Sequence, residues 1–312
     1  MRQLRFYIER SFTQMLAYKF RIYPTKLQEK LIVETLETCR RLYNDFLSDR
    51  IKNGTDVWDL QKSLPKLKVA NKFLRAVHSQ VLQDVNFRLE RAYQAFIAGI
   101  AGHPKFRRRG RYNSFTYPQR GGFRIDGKSR MKLSRIGRMK IRLHRSMEGV
   151  VPKTCTIVRD IDQRYACISV EGPIVEKSPA SSRLTIGVDL GVTNLVTLSN
   201  GTVIPNPRFL GRSVSKLKSI QKDLSRKQPS SKNRAKARIR LEKAWRTVRR
   251  QRDDFDHKLS DRLTRENEVV IFEDLRIRSM VKNHSLASAI MIPHGENCAG
   301  WPPTRRRGVV DG

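Results

Sequence analysis

The run TIGVDLGVTNLVTLSNG, Thr185 to Gly201, is the strongest local constraint in the chain. Two apolar segments, TIGVDLG and LVTLSNG, are joined by a polar VTN step, and Asn200 with Gly201 marks the next turn, so the stretch predicts a short β-hairpin. Asp189 is the one carboxylate inside it. A second acid, Glu273, lies near the exit of the strand-like segment EVVIFEDL, Glu268 to Leu275. Side chains alternate between the two faces of a strand. If these two strands are neighbours in one sheet, both carboxylates converge at its end, a common location for function in sheet-based folds. Two such groups repel unless a cation lies between them, and Mg²⁺ favours a small oxygen-rich site of this kind. Paired metal ions orient water and neutralise the leaving oxygen of a phosphodiester, with no need of histidine or cysteine. The plainer reading is that an Asp beside Gly forms a turn and an acid at a strand exit caps a helix. Spacing alone leaves both readings open.

Charge narrows the choice of partner. Lys and Arg number 64 against 29 Asp and Glu, a formal net charge of +35. A polyanion is the usual physical reason for such an excess, and each phosphate contacted releases condensed counterions. Nucleic acid is therefore the expected partner; a basic ribosome-associated or membrane-surface protein is the alternative. The cysteines Cys39, Cys155, Cys167 and Cys298 are widely spaced with no C-x-x-C pair, as in a reduced intracellular protein, and Cys39 falls on a helix face as a small hydrophobe. No apolar stretch approaches the roughly 18 residues of a membrane span, and MRQLRFYIERSFTQ lacks a signal-peptide core. The expectation is no membrane and a cytoplasmic setting.

The 312 residues are enough for two domains. Residues 15–23 alternate as a strand that Pro24 ends, and Thr25 caps a helix to about Ser48. Asn53, Gly54 and Pro65 mark loop and short helix, and a further helix runs from about Ser79 to Ile97. The texture then changes: FRIDG, RMKLS, RMKIRLH, CTIVRD and RYACISV read as antiparallel strands, and RMKIRLH gives one packed and one positive face. EKSPASSR, Glu176 to Arg183, reads as a linker. Beyond the hairpin come a helix to about Lys227, a break at Pro229 and a long basic helix from about Ser231 to Thr264, with Leu241, Trp245, Val248, Phe255, Leu259 and Leu263 on its apolar side. The fold class is mixed α+β, an N-terminal strand barrel with an inserted helical bundle, followed by an α/β domain. Two basic segments are candidate nucleic-acid contacts. One is the run Lys105, Arg107, Arg108, Arg109 and Arg111 with Tyr112, whose aromatic neighbours serve either stacking or the core. The other is the helix face of Lys232, Arg234, Lys236 and Arg238.

These stretches resemble, in order, the OrfB/TnpB proteins of bacterial insertion sequences. LAYKFRIYPTKLQEKL is similar to the family's opening, GHPKFRRRGRYNSF to its basic mid-chain motif, TIGVDLGVTNLVTLSNG to its first catalytic motif, and VVIFEDLRIRSMVKNHSLA to its second catalytic motif and lid. The resemblance implies an RNA-guided DNA endonuclease, related to the type V CRISPR effectors, with a RuvC-like, RNase H-type nuclease domain. It implies guide RNA and target DNA as partners in a nucleoid-associated bacterial protein, divalent metal, usually Mg²⁺, and Asp189 and Glu273 as catalytic metal ligands. The expected organisation is an extension over 1–14, a strand-barrel (wedge-like) nucleic-acid-binding domain over 15–182 with its helical insertion at about 25–100, an incomplete RuvC-like domain over 183–289, and an aberrant, disordered tail over 290–312. The family's third catalytic aspartate and four-cysteine zinc hairpin have no counterpart in IMIPHGENCAGWPPTRRRGVVDG; Cys298 stands alone there, so no zinc is expected, and Asp311 is not given the third role. The expected activity is accordingly a nuclease impaired in cleavage, with a non-cleaving guide-binding remnant and a nonspecific basic binder as alternatives.

Overall fold

The computed structural model describes residues 13–127, 129–173, 185–191 and 193–273. The extension before Thr13, the linker Glu176–Arg183, the lid after Glu273 and the tail over 290–312 lie outside the described residues. The chain divides into two compact units, residues 1–175 and 176–312.

In the first unit, β1 (Thr13–Tyr23) leads into four helices, α1 (Lys26–Asn53), α2 (Val57–Ala70), α3 (Lys72–Ala76) and α4 (Ser79–Ile97). Thr25 caps α1 through a capping box: its hydroxyl accepts from the Gln28 amide at 3.3 Å, and the Gln28 side chain accepts from the Thr25 amide at 3.0 Å. The helix runs past Ser48 and ends at Gly54, whose φ of 64° is the left-handed conformation that favours glycine. Pro65, a loop signal in the sequence, lies inside α2. Packing outweighs the missing amide there: Val57, Leu60 and Leu64 are buried, and the buried Asn86 of α4 donates to the Val57 carbonyl at 2.7 Å.

Six further strands follow: β2 (Ser114–Tyr117), β3 (Phe123–Asp126), β4 (Arg130–Leu133), β5 (Gly137–Arg142), β6 (Val151–Asp160) and β7 (Gln163–Pro173). They join β1 in a seven-stranded antiparallel sheet of order β2-β6-β7-β1-β5-β4-β3. The sheet curls into a near-closed barrel. Its far edges are drawn together by Tyr117 of β2, whose hydroxyl donates to the Ser134 carbonyl beyond β4 at 2.8 Å. Inward positions such as Phe20, Ile22, Phe115, Met131, Ile141 and Ile168 share one core with Ile32, Leu36, Leu47, Leu82 and Leu89 of the helices. Cys39 is fully buried in it, and burial pushes its thiol up to about 12.

Arg88 fastens the helical insertion to the barrel edge. Its guanidinium donates to Asp84 on its own helix at 2.6 Å, to the Ser114 carbonyl at 2.9 Å and to the Thr116 hydroxyl at 2.6 Å. Arg164 of β7 makes a comparable tie to Glu29 of α1.

The second unit holds β8 (Thr185–Leu190), β9 (Asn194–Leu198), β10 (Val203–Pro205), α5 (Phe209–Ser225), α6 (Lys232–Glu266) and β11 (Val269–Phe272). The sheet order is β10-β9-β8-β11, with β8, β9 and β10 antiparallel and β11 parallel to β8. An antiparallel meander followed by helices and a parallel fourth strand is the RNase H-like arrangement. Its core joins Ile186, Val188, Leu195, Val196 and Leu198 of the sheet to Leu259 and Leu263 of α6. Among the described residues no helix is long and apolar enough to cross a membrane.

Arg88→Ala is expected to lower stability by about 3 kcal/mol, because it strips the strongest partner from the buried Asp84 carboxylate. The double variant Arg88→Met with Asp84→Leu should lose less, since no uncompensated charge remains. Urea unfolding of the three proteins checks both expectations.

Candidate functional site

The parallel pairing of β8 and β11 sets the geometry of the acidic pair. Thr185 stands opposite Val269, Ile186 opposite Val270, Gly187 opposite Ile271 and Val188 opposite Phe272. The pairing ends there: Asp189 is the next residue of β8, and Glu273 is the first residue after β11. Residues level with each other on neighbouring parallel strands point to the same face, and strands in one sheet are about 4.8 Å apart. Asp189 and Glu273 are both exposed, while Val188 is buried and Phe272 packs against the core. Asp189 in β8 and Glu273 just past β11 therefore stand at the same end of the sheet.

On its other side Asp189 stands opposite Thr197 of β9. The hairpin between them closes tightly: the Gly191 amide donates to the Leu195 carbonyl at 3.2 Å. A Cβ at Gly191 would meet the Asn194 carbonyl oxygen at 2.6 Å, so this position takes glycine for want of space. Ser199 accepts from the Gly187 amide at 3.0 Å and fixes the strand below the acid.

Among the described residues neither Asp189 nor Glu273 forms an ion pair or a side-chain hydrogen bond with a described partner. No group of three or more His, Cys, Asp or Glu side chains suited to a metal stands among the described residues. A pair of open oxygen donors fits Mg²⁺, which is commonly held by one or two carboxylates together with water and substrate phosphates.

The basic segments differ in how much of their charge is free. Lys105, Arg107, Arg108, Arg109 and Arg111 are exposed on the loop between α4 and β2. The Arg107 carbonyl accepts from Arg40 at 2.9 Å and from Asn44 at 3.1 Å, which ties that loop to α1. Tyr112 turns inward, 8 % exposed, and burial raises its hydroxyl well above the usual tyrosine range. Phe115 is likewise core, so the aromatic that this segment offers to solvent is Phe106. On α6, Lys232, Lys236 and Arg238 are exposed. Arg234 instead folds back, donating to the Leu224 carbonyl at 3.1 Å and the Lys227 carbonyl at 2.9 Å, where it satisfies the end of α5. Trp245, which periodicity counts on the apolar side of α6, is about half exposed, whereas Asp256 further along is partly buried. Burial and then the neighbouring Asp253 hold the Asp256 carboxyl above its ordinary range.

A family model described as "Probable transposase", of the OrfB type, matches residues 165–284, which include both acids. A second, described as "Helix-turn-helix domain", matches residues 15–54. That segment is here a strand followed by one helix, β1 and α1. A protein of Streptomyces pristinaespiralis, provisionally named an RNA-guided DNA endonuclease, is 33% identical over 283 residues, 88% of this chain and 70% of that protein. The chain belongs to the OrfB/TnpB family. The Escherichia coli K12 member provisionally named RNA-guided DNA endonuclease InsQ is 30% identical over 279 residues, covering 86% of this chain and 68% of its own. Among solved structures, Cas12f1 in its complex with single-guide RNA and target DNA aligns over 93% of this chain and 85% of that one, with a TM-score of 0.51 and 11% identity. At that identity the likeness is one of fold, and it extends over both units of this OrfB/TnpB chain.

Gly191→Ala is expected to cost about 1–3 kcal/mol by forcing the hairpin open. It should also speed amide exchange across Thr185–Leu190. Gly187→Ala, whose added carbon reaches the Ser199 Cβ at 3.4 Å, should cost less. Hydrogen-exchange mass spectrometry of the two variants distinguishes these outcomes.

Proposed function

We propose that this chain is a RuvC-like, RNA-guided DNA nuclease of the OrfB/TnpB type, acting in the bacterial cytoplasm at the nucleoid. In this reading Asp189 and Glu273 are its metal-binding catalytic acids. The observation that carries the reading is the β8–β11 register, which ends one step short of the two acids that the family resemblance marks out. The names of the relatives supply guide RNA and target DNA as the partners.

The roles follow from chemistry. The two carboxylates bind divalent metal, Mg²⁺ in the expected case, which when bound polarises the scissile phosphate and activates water. They also keep the sheet end negative, so that the site takes a phosphodiester only together with a cation. The exposed cations of the 105–111 loop and of α6, with Lys232, Lys236 and Arg238, hold the backbone while base pairing to the guide selects sequence. No base-reading helix is required in that division of labour.

Cleavage by this 312-residue chain is proposed to be weak, because a catalytic metal needs a fixed coordination set and two carboxylates leave much of it to water and substrate. A second reading is binding of guide and target without cutting. A nonspecific basic binder, the third reading, would retain a mixture of RNAs rather than one discrete species.

The test uses the purified chain with the RNA that copurifies with it. Mn²⁺ binding measured by calorimetry should be lost in Asp189→Asn and Glu273→Gln, while RNA retention is unchanged. Guide-matched DNA should be cut slowly, if at all, and not at all by either variant. Metal binding unaffected by both substitutions overturns the assignment of the acids; robust cutting by the unaltered chain overturns the impairment.

A further inference from the structure

The hairpin that carries Asp189 also sets a hydroxyl beside it. The Ser199 amide donates to the Gly187 carbonyl at 2.9 Å, and the Gly191 amide to the Leu195 carbonyl at 3.2 Å. Hydrogen-bonded and open pairs alternate along an antiparallel ladder, so Asp189 and Thr197, midway between those two contacts, are a hydrogen-bonded pair with side chains directly across on one face. Around Asp189 that face offers little else that can donate. Gly187 and Gly191, two residues to either side, have no side chain; Val203 stands beyond Thr197 on β10, and Ile271 stands beside Gly187 on β11. Ser199, on the diagonal, is engaged with the Gly187 amide at 3.0 Å. Thr197 is partly buried, and among the described residues its hydroxyl has no hydrogen-bond partner. Strand hydroxyls of the first unit are paired instead, Thr116 with Thr156 at 2.8 Å and Thr154 with Ser169 at 2.7 Å.

We infer that Thr197 is a positioning residue of the acidic site: its hydroxyl donates to one carboxylate oxygen of Asp189 and so directs the other oxygen toward the cation that Asp189 and Glu273 take together. The inference rests on the metal-binding reading of the two acids given above and adds a residue to it. Directly opposite residues have Cβ atoms about 4.5–5.5 Å apart. Rotation of the two side chains closes that gap with one O–H···O bond of about 2.7 Å. The choice of donor is also informative. A lysine or arginine across from Asp189 would neutralise the carboxylate and compete with a cation for it, whereas a hydroxyl donates without bringing charge. A chain with 64 Lys and Arg sets neither directly across from this acid.

An exposed aspartate turns about two side-chain bonds, and its outer torsion is broad. Carboxylates that hold a metal are themselves hydrogen-bonded, and losing that outer partner costs about 10–100-fold in affinity. Thr197 suits this part because it moves little: β-branching restricts its first torsion, and Asp189 and Val203 flank it on the neighbouring strands. Gly191 and Ser199 fix the backbone on either side of the acid, and Thr197 is the side chain placed to fix the carboxylate itself.

Calorimetry of Mn²⁺ binding to the full chain tests this with Thr197→Val and Thr197→Ser, and needs no cleavage. Valine keeps the shape and the strand preference but has no hydroxyl, and it should weaken Mn²⁺ binding at least about tenfold. Serine keeps the hydroxyl on a freer side chain and should stay within about threefold of the unaltered chain. A merely structural role predicts the reverse order, because serine is the poorer strand residue and valine a good one. Thermal melting without metal reads the fold separately: Thr197→Val should melt no lower than the unaltered chain, since the hydroxyl it loses has no partner there. Should the valine variant not fold, Thr197→Ala, which also lacks the hydroxyl, replaces it in the same comparison and should match the loss expected of valine. Mn²⁺ affinity preserved in a folded variant without the hydroxyl overturns the inference, and so does a serine variant that binds as weakly as the valine or alanine one. An unaltered chain that binds no Mn²⁺, or whose binding survives Asp189→Asn, overturns the reading of the acids beneath it instead.

Discussion

The parallel pairing of β8 with β11 is the constraint on which the second unit depends. Parallel strands need a long crossover connection, and here α5 and α6 occupy it. An antiparallel pairing would send β11 the other way and carry Glu273 to the opposite end of the sheet from Asp189. The parallel one makes the C-terminal ends coincide, so residues remote in the chain meet at one edge without either strand being long. Four residues of β11 suffice because the register is pinned on one face by Val188, Val270 and Phe272 in the core, where a one-residue slip would turn every side chain over.

Charge is organised by the same alternation in the first unit. On β3–β5 each outward cation is the neighbour in sequence of an inward apolar residue, so the core and the cationic face arise from one alternating pattern. The helical insertion is held to the barrel by polar ties at its edges, Arg88 to β2 and Gln28 to the Arg138 carbonyl of β5 at 2.7 Å, and by the shared core. The second tie links the cap of α1 to a strand of the cationic face, since Gln28 belongs to both the capping box and the barrel contact.

What the sequence made legible was what depends on near neighbours. Pro24 and Thr25 mark the end of β1 and the cap of α1 because a ring-locked φ and a side-chain oxygen act within a few residues. The alternation of RMKIRLH gives β5 its two faces for the same reason. The hairpin around Asp189 was legible from its glycines and the VTN step. What stayed hidden depends on distant partners. Pro65 sits inside α2 because Asn86 and the packing of Leu60 and Leu64 support it from outside the segment. Tyr112 is a stacking candidate by composition and a core residue by position, since Tyr43 and Arg88 close around it. Arg234 has the spacing of a phosphate contact, yet it folds back onto the Leu224 and Lys227 carbonyls at the end of α5. Cross-strand rows of like charge are invisible until the register is known, because Arg130 and Lys140 are not neighbours in any local window.

The long helix of the second unit is seated on the sheet at its C-terminal end. Leu259 and Leu263, in the last two turns of α6, are part of the sheet core, and Asn267 closes the helix by donating its side-chain amide to the Leu263 carbonyl at 3.0 Å. The strand β11 begins at Val269, with only Asn267 and Glu268 between it and the last helical residue. So short a connection cannot absorb a rotation of the helix, and the register of β11 follows wherever the C-terminal end of α6 is seated. A helix of 35 residues is about 50 Å long, and its exposed cations Lys232, Lys236 and Arg238 lie in its first turns, far from that seat.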